Sequence, residues 1–71
     1  MISAVAFGRR LRQERSRQGK SLETLAREAG THAGTLSRWE RGLRDPRLST
    51  MVRLAAALDV PLRELIDGIA P

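Results

Sequence analysis

A segment near the middle of the chain gathers small, polar and cationic side chains on one side of a candidate helix. Over residues 33–41, a helical projection at about 100° per residue places them opposite an apolar face. They are Gly34, Ser37, Arg38 and Arg41. Small residues allow a helix backbone to approach a surface closely, and an arginine can donate two hydrogen bonds to the edge of guanine. The pattern indicates a face for base edges or phosphates, although an ordinary solvated helix face has a similar composition.

The elements that must position this face are two helices joined by a tight turn. The joining residues are Ala29, Gly30, Thr31 and His32. A connection this short with a central glycine fits the sharp crossing of a helix-turn-helix, in which the second helix enters the major groove of DNA and the first crosses the backbone. Helical hairpins in ordinary bundles also use short glycine turns, so the spacing alone leaves that alternative open.

Helical periodicity dominates the chain and strand signals are nearly absent, so we predict five short helices. The first four span about residues 4–18, 22–29, 33–41 and 50–58, and the fifth begins at Pro61. Serine is a favoured N-cap, which makes Ser3, Ser21 and Ser49 the expected caps of the first, second and fourth helices. The third helix is capped by the residue at position 31 or 32.

The charge is strongly basic and unevenly distributed. Thirteen Lys and Arg residues against eight Asp and Glu residues give a net charge of +5. Residues 1–47 carry eleven cations and five acids, whereas residues 48–71 carry two cations and three acids. A basic first two-thirds suggests one face built for a polyanion. Small basic domains also bind membranes and acidic proteins, so the charge favours nucleic acid without singling it out.

Several functional classes lack the residues that they need. The chain has no cysteine and a single histidine, His32, so we expect no disulfide, no metal site and no cofactor. The acids Glu14, Glu23 and Glu28 form no acid–base pair, and no nucleophile elbow or phosphate loop is present, so we predict that the protein is not an enzyme. No transmembrane stretch or signal peptide fits. We expect one domain over residues 1–71, located in the cytoplasm.

The segment GTHAGTLSRWERG at residues 30–42 resembles the recognition segment of phage repressor/Cro-type regulators, the XRE family. The segments FGRRLR at 7–12 and SLETLA at 21–26 resemble the family's first two helices. The fourth helix and its exit are matched by DP at 45–46, LSTM at 48–51 and LAAALDV at 54–60. The resemblance covers about residues 7–66, nearly the whole chain, and its motifs are specific together rather than singly.

The resemblance implies an all-α, five-helix, lambda-repressor-like domain that binds double-stranded DNA through the major groove and regulates transcription, with its motif at about residues 22–41. It also implies a salt bridge between Arg15 and Glu40, which both fall on inward-facing stripes of their helices. By position, the residues at base edges are Ala33, Gly34, Ser37 and Arg38. Those at the DNA backbone are His32, Arg41, Arg44 and Arg47. Backbone contacts supply salt-dependent affinity rather than sequence choice.

Three positions depart from the pattern of the family. Leu22 replaces a phosphate-contacting glutamine early in the second helix, and Ala33 and Gly34 replace long polar residues. Direct base contacts therefore depend on Ser37 and Arg38, while Ala33 could contact a thymine methyl group. We expect DNA shape to supply part of any specificity.

The fifth helix carries an apolar strip, one side of which must cover the core while the other is available to a second copy. Its members are Leu62, Leu65, Ile66 and Ile69. Because members of the family bind two-fold sites as dimers, the resemblance implies a homodimer. The main alternative is an antitoxin or another protein-interaction module with an unknown protein partner. A basic membrane-surface module is a weaker alternative, because the first helix has few bulky apolar residues. The chain is either a complete small regulator or the DNA-binding part of a longer protein.

Overall fold

A computed structural model describes residues 3–66, and within this range the chain forms five helices and no strand. The helices are α1 (Ala4–Arg17), α2 (Leu22–Ala29), α3 (Ala33–Glu40), α4 (Leu48–Ala57) and α5 (Arg63–Ile66). The prediction of an all-α, five-helix fold is confirmed. α1 packs mainly against α3 and α5, whereas α2 packs against α3 and α4.

Serine side chains begin the first two helices, as the sequence predicts. The hydroxyl of Ser3 accepts a hydrogen bond from the backbone N–H of Ala6 at 3.3 Å, and that of Ser21 accepts one from Thr24 at 3.0 Å. Each bond satisfies an N–H group that a helix start leaves without a partner. α2 ends at Gly30, whose φ of 73° is left-handed. Glycine adopts this conformation without strain, so the chain reverses within a few residues and α3 can begin.

α4 begins two residues earlier than expected, so the prediction of Ser49 as its N-cap is wrong. The helix starts at Leu48, and Arg47 occupies the cap position without making a side-chain cap bond. Pro46 disfavours helix only in the residue before it, which leaves the chain free to turn helical soon after it. Leu48 is 64% exposed, so it carries no inward-facing signal by which periodicity could have placed it in the helix.

α5 begins at Arg63 rather than at Pro61. The N–H of Glu64 donates to the carbonyl of Pro61, and the N–H of Leu65 donates to that of Leu62, both at 2.9 Å. These bonds span three residues instead of four, which is the geometry of a tight 3₁₀ turn. The proline therefore begins a 3₁₀ entry to the helix rather than its first α-helical turn.

The core consists of apolar residues that helical periodicity places on inward faces. Fully buried members are Phe7, Leu11, Leu25, Leu36, Leu54, Leu58 and Leu65. Trp39 is 8% exposed and belongs to the core, so it offers no stacking surface for bases. Burial of one side chain of this size stabilises the fold by roughly 1.5–3 kcal/mol. The core thereby fixes α3 against its neighbours, with its opposite face outward.

Candidate nucleic-acid interface

The turn between α2 and α3 is closed by its own backbone. The N–H of Gly30 donates to the carbonyl of Arg27 at 3.2 Å, and the N–H of Thr31 donates to that of Ala26 at 2.8 Å. His32 follows in an extended conformation at the N-cap of α3 and makes no side-chain cap bond. Of the two residues that the sequence left open as the cap, His32 holds the position. Its imidazole is exposed to solvent at the start of α3.

α3 exposes the face that its sequence pattern singles out. Gly34, Arg38 and Arg41 are exposed and Ser37 is half-buried, so these four residues lie on the solvent side of the helix. The opposite side, with Leu36 as its centre, is buried in the core. A helix held by one face and bare on the other can enter a groove without rearranging the protein.

Ala33 is less available than the other residues assigned to base edges. It is half-buried and packs against the hydrophobic core. Arg41 already uses one of its hydrogen-bond donors within the protein, since its Nε donates to the carbonyl of Ser37 at 3.4 Å. Arg38 is exposed and makes no such hydrogen bond within residues 3–66, so its guanidinium is accessible to a ligand.

The loop from α3 to α4 is held against the start of α1. Gly42 has a φ of 74°, and a Cβ there would lie 2.8 Å from Cγ2 of Val5 and 2.9 Å from its Cα. The N–H of Leu43 donates to the carbonyl of Arg38 at 2.9 Å. These contacts fix the beginning of the loop that carries Arg44 and Arg47, which are both exposed.

Arg15 and Glu40 lie together, in a pair that joins α1 to the end of α3. Nε of Arg15 donates to Oε2 of Glu40 at 2.6 Å and Nη2 donates to Oε1 at 3.0 Å, which makes the pair bidentate. The side chains are 14% and 5% exposed. The hydrogen bond to Glu40 raises the pKa of Arg15 above its ordinary value, with a smaller opposing effect of burial. Nη1 of the same guanidinium donates to the carbonyl of Lys20 at 2.8 Å, so one side chain holds α1, the α1–α2 turn and α3.

Two residues after α1 support the site indirectly, and the sequence alone did not identify them. Nε2 of Gln18 donates to the carbonyl of Leu58 at 2.6 Å, and Nζ of Lys20 donates to that of Ala57 at 2.8 Å. Both acceptors lie at the end of α4, where a helix leaves its carbonyls without partners. Lys20 also pairs with Glu28 on α2 at 2.7 Å. A side chain that contacts a distant helix leaves no periodic pattern in the local sequence. The only signal in the sequence was that both residues are polar and lie at the end of a helix.

The structure removes one residue from the candidate dimer contacts. Leu65 is 1% exposed and belongs to the core of its own chain, which leaves it unavailable to a second copy. Leu62 and Ile66 are half-buried and retain some accessible surface. Ile69 lies outside the described residues. Leu48 and Val52, which are 64% and 50% exposed, form an apolar pair one turn apart on α4.

Residues 3–66 contain no group of three or more His, Cys, Asp or Glu side chains that could hold a metal ion. Over the same range, no helix combines the length and the apolar character needed to cross a membrane.

Comparisons with known proteins agree with this geometry. The chain is 39% identical over 63 residues to the HTH-type transcriptional regulator SlrR of Bacillus subtilis, a match that covers 87% of the chain and 41% of SlrR. The chain thus spans less than half the length of this relative. The structure of the restriction-modification controller protein C.AhdI from Aeromonas hydrophila has a TM-score of 0.87 and 43% identity, with 89% of this chain and 96% of that one covered. SinR, the master regulator for biofilm formation, solved in complex with DNA, has a TM-score of 0.78 and 37% identity, with 83% and 95% covered.

A family model described as helix-turn-helix matches residues 11–65, well over half of the chain. The matched region includes α2 and α3, their turn and the ion pair between Arg15 and Glu40. As the resemblance to the phage repressor/Cro-type (XRE) regulators predicted, the chain belongs to the helix-turn-helix family.

Proposed function

We propose that this chain binds double-stranded DNA sequence-specifically, by inserting α3 into the major groove, and thereby regulates transcription as a repressor. The observation that carries the proposal is the exposed face of α3, where Arg38 stands beside small residues while the opposite face is fixed in the core. An arginine in this position can donate two hydrogen bonds to O6 and N7 of guanine, which is the commonest base-specific contact in the major groove. SinR, a relative at 37% identity, was solved with DNA bound.

The proposed contacts divide between base edges and the DNA backbone. Gly34, Ser37 and Arg38 face the base edges, together with the accessible part of Ala33. The proposed backbone contacts come from His32, Arg41, Arg44 and Arg47. All four are exposed, and they lie at the start of α3, at its end and in the loop that follows it. Such contacts set the position of the helix in the groove and carry the salt dependence of binding.

We further propose that two copies bind a two-fold site. Half-sites one helical turn apart require a dimer with two copies of α3 at matching separation. Partly accessible apolar surface at Leu62 and Ile66 supports a self-contact through α5. The measurement is the molar mass of the protein, free in solution and again on DNA. A protein concentration of about 100 µM is used, because a weak dimer is populated there. A monomer in both conditions contradicts the proposal.

In this proposal the chain is a single helix-turn-helix domain over residues 1–71, with its motif at about 22–41, acting in the cytoplasm without catalysis, metal or cofactor. SlrR is described as a transcriptional regulator, C.AhdI as a controller protein and SinR as a master regulator solved with DNA, which favours DNA binding over the antitoxin alternative.

The experiment is a selection from randomised duplexes, followed by fluorescence anisotropy with the enriched duplex and a scrambled one at two salt concentrations. Arg38→Ala is expected to lose the preference for the enriched duplex while retaining salt-dependent background binding. Arg9→Ala is the matched control, because it removes one exposed arginine from the outer face of α1. It is expected to keep the preference. If no duplex is enriched and neither binds at low salt, the proposal is wrong and a protein partner becomes the next candidate.

A further inference from the structure

We infer that α3 selects a 5-methylpyrimidine–guanine step, TpG in unmodified DNA, with Arg38 on the guanine and the bare backbone at Gly34 against the methyl group. The inference rests on the proposed function and specifies the base step that the exposed face of α3 fits. It also assigns a role to Gly34, because the absence of a side chain there leaves room for the methyl group of the base.

Gly34 has no structural reason to be glycine within the described chain. It is exposed, and a Cβ built on it would meet nothing within 4 Å. Its φ is not among the positive values, which occur at Gly19, Gly30, Gly42 and Asp59. Gly42 shows the contrast, since a Cβ there would collide with Val5. Glycine is a weaker helix former than alanine, so a glycine that neither packing nor backbone conformation requires points to the space in front of it.

That space adjoins the accessible guanidinium. Arg38 follows Gly34 by four residues, and residues so spaced lie one above the other on a helix face, about 5–6 Å apart. Helical side chains also lean toward the N-terminus, so the Arg38 side chain extends over the turn that contains Gly34. Base pairs stack about 3.4 Å apart along each strand, so the guanidinium and the bare turn address neighbouring bases.

The chemistry of the two features differs in a way that selects the step. The guanidinium donates to the two acceptors of guanine, N7 and O6, whereas the bare turn offers only room and apolar contact. In the major groove, the C5-methyl group of thymine is the one apolar protrusion that distinguishes a base. A guanidinium is also weakly hydrated and packs on planar groups, so it can cover the pyrimidine 5′ to its guanine. Ala33 cannot take this role fully, because its methyl group packs partly on the core.

The test uses the duplex enriched in the selection described above, with one thymine at a time replaced by deoxyuridine. This change removes a methyl group and leaves every hydrogen-bonding group of the base in place. Uracil directly 5′ to the guanine that Arg38 contacts is expected to weaken binding about fourfold, the equivalent of one buried methyl group. Uracil at thymines outside the contacted step is expected to leave the dissociation constant unchanged. Replacing the same T·A pair by C·G should weaken binding, and 5-methylcytosine in that C·G pair should restore part of the loss.

Gly34→Ala is the protein-side test, because it fills the proposed space with a methyl group of the protein itself. The variant is expected to lose the difference between thymine and uracil and to bind the thymine duplex less tightly. Its melting temperature, measured first, is expected to stay at or above that of the wild type, which separates a groove effect from unfolding.

The outcomes separate the inference from the function on which it rests. If the enriched duplex binds but no uracil substitution weakens it, the inference is wrong and the DNA-binding proposal stands. The inference is also overturned if the uracil effect that Gly34→Ala abolishes lies at a thymine that is not directly 5′ to guanine. If no duplex is enriched and none binds at low salt, both proposals fail.

Discussion

The Cα of Gly8 on α1 lies against the main-chain carbonyl of Trp39 on α3, so closely that a Cβ on Gly8 would sit 2.1 Å from that oxygen. The carbonyl oxygen of Glu40 would be 2.7 Å from the same Cβ. α1 and α3 therefore meet backbone to backbone at the end of the helix proposed to enter DNA. No other residue fits in this position without separating the two helices.

Gly8→Ala is expected to destabilise the fold strongly, because the colliding atoms belong to the backbone and cannot rotate away. Overpacking of a core typically costs about 1–3 kcal/mol, and a backbone collision lies at or beyond the upper end of that range. The measurement is the free energy of unfolding in denaturant. Gly34→Ala is the matched control, since it changes a helical glycine with open space around it and should not destabilise. Equal stabilities for the two variants would show that α1 can move away from α3 at little cost.

Glu40→Ala is expected to lower stability by about 3–5 kcal/mol, because it leaves the guanidinium of Arg15 largely buried without its carboxylate. The double variant with Arg15→Met should recover part of the loss, since removing both charges is less harmful than removing one. Thermal unfolding of Glu40→Ala, Arg15→Met and the double variant measures the coupling. Arg17→Ala, which breaks the exposed pair with Glu14, serves as the comparison and should change the melting temperature little. An unchanged melting curve for Glu40→Ala would mean that the ion pair does not hold α3.

The sequence predicted the helices and the outward face of α3 because those features follow from local signals. Ser3, Ser21 and Gly30 act within a few residues of themselves, so cap and turn preferences were sufficient to place them. The start of α4 was placed wrongly because its first turn has the exposed Leu48 and a cap, Arg47, without a side-chain bond. The start of α4 therefore has neither a capping side chain nor a buried apolar first residue from which it could have been predicted.

The contacts that hold α3 in place join different helices and depend on tertiary packing rather than on local sequence. The approach of Gly8 to α3 and the bond from Lys20 to the end of α4 depend on how helices pack, which one sequence does not show. Arg15 and Glu40 were placed as a pair only because a family resemblance supplied the partner, while periodicity supplied the inward direction of each. Periodicity alone indicates that a charge faces inward and not what it meets.

Asp59, between α4 and α5, has a φ of 55°, a left-handed conformation that glycine, asparagine and aspartate adopt far more readily than other residues. A β-branched side chain there should be unfavourable, so Asp59→Val is expected to be about 1–2 kcal/mol less stable than Asp59→Gly. Denaturant unfolding of both variants measures the difference. Asp45→Val and Asp45→Gly form the control pair in another exposed segment, at a residue without positive φ. A similar difference at both positions would show that backbone strain at Asp59 is not the cause.

Glu14 should give stability a weak acid dependence. Its hydrogen bond with Arg17, and then that with Gln18, lower its pKa below the ordinary 4.5, partly opposed by burial. A carboxyl whose pKa is depressed in the folded state contributes stability above its unfolded pKa and loses that contribution as the pH falls through the folded value. The stability difference between the wild type and Glu14→Gln should therefore be present at neutral pH and shrink below about pH 4.5. A difference that is constant between neutral and acidic pH would assign it to something other than the charge of Glu14.

Arg44 and Arg47 test the proposed division between positioning and specificity. Each phosphate contact contributes about 0.9 to the slope of log affinity against log salt, so Arg44→Ala and Arg47→Ala should each reduce that slope by about one. Preference for the enriched duplex over the scrambled one should persist in both, because neither side chain is proposed to contact a base. Arg47→Ala should leave α4 intact, since Arg47 makes no side-chain cap bond. Arg9→Ala, on the outer face of α1, should keep the wild-type slope. If Arg44→Ala and Arg47→Ala keep it as well, the loop between α3 and α4 does not contact the backbone of DNA.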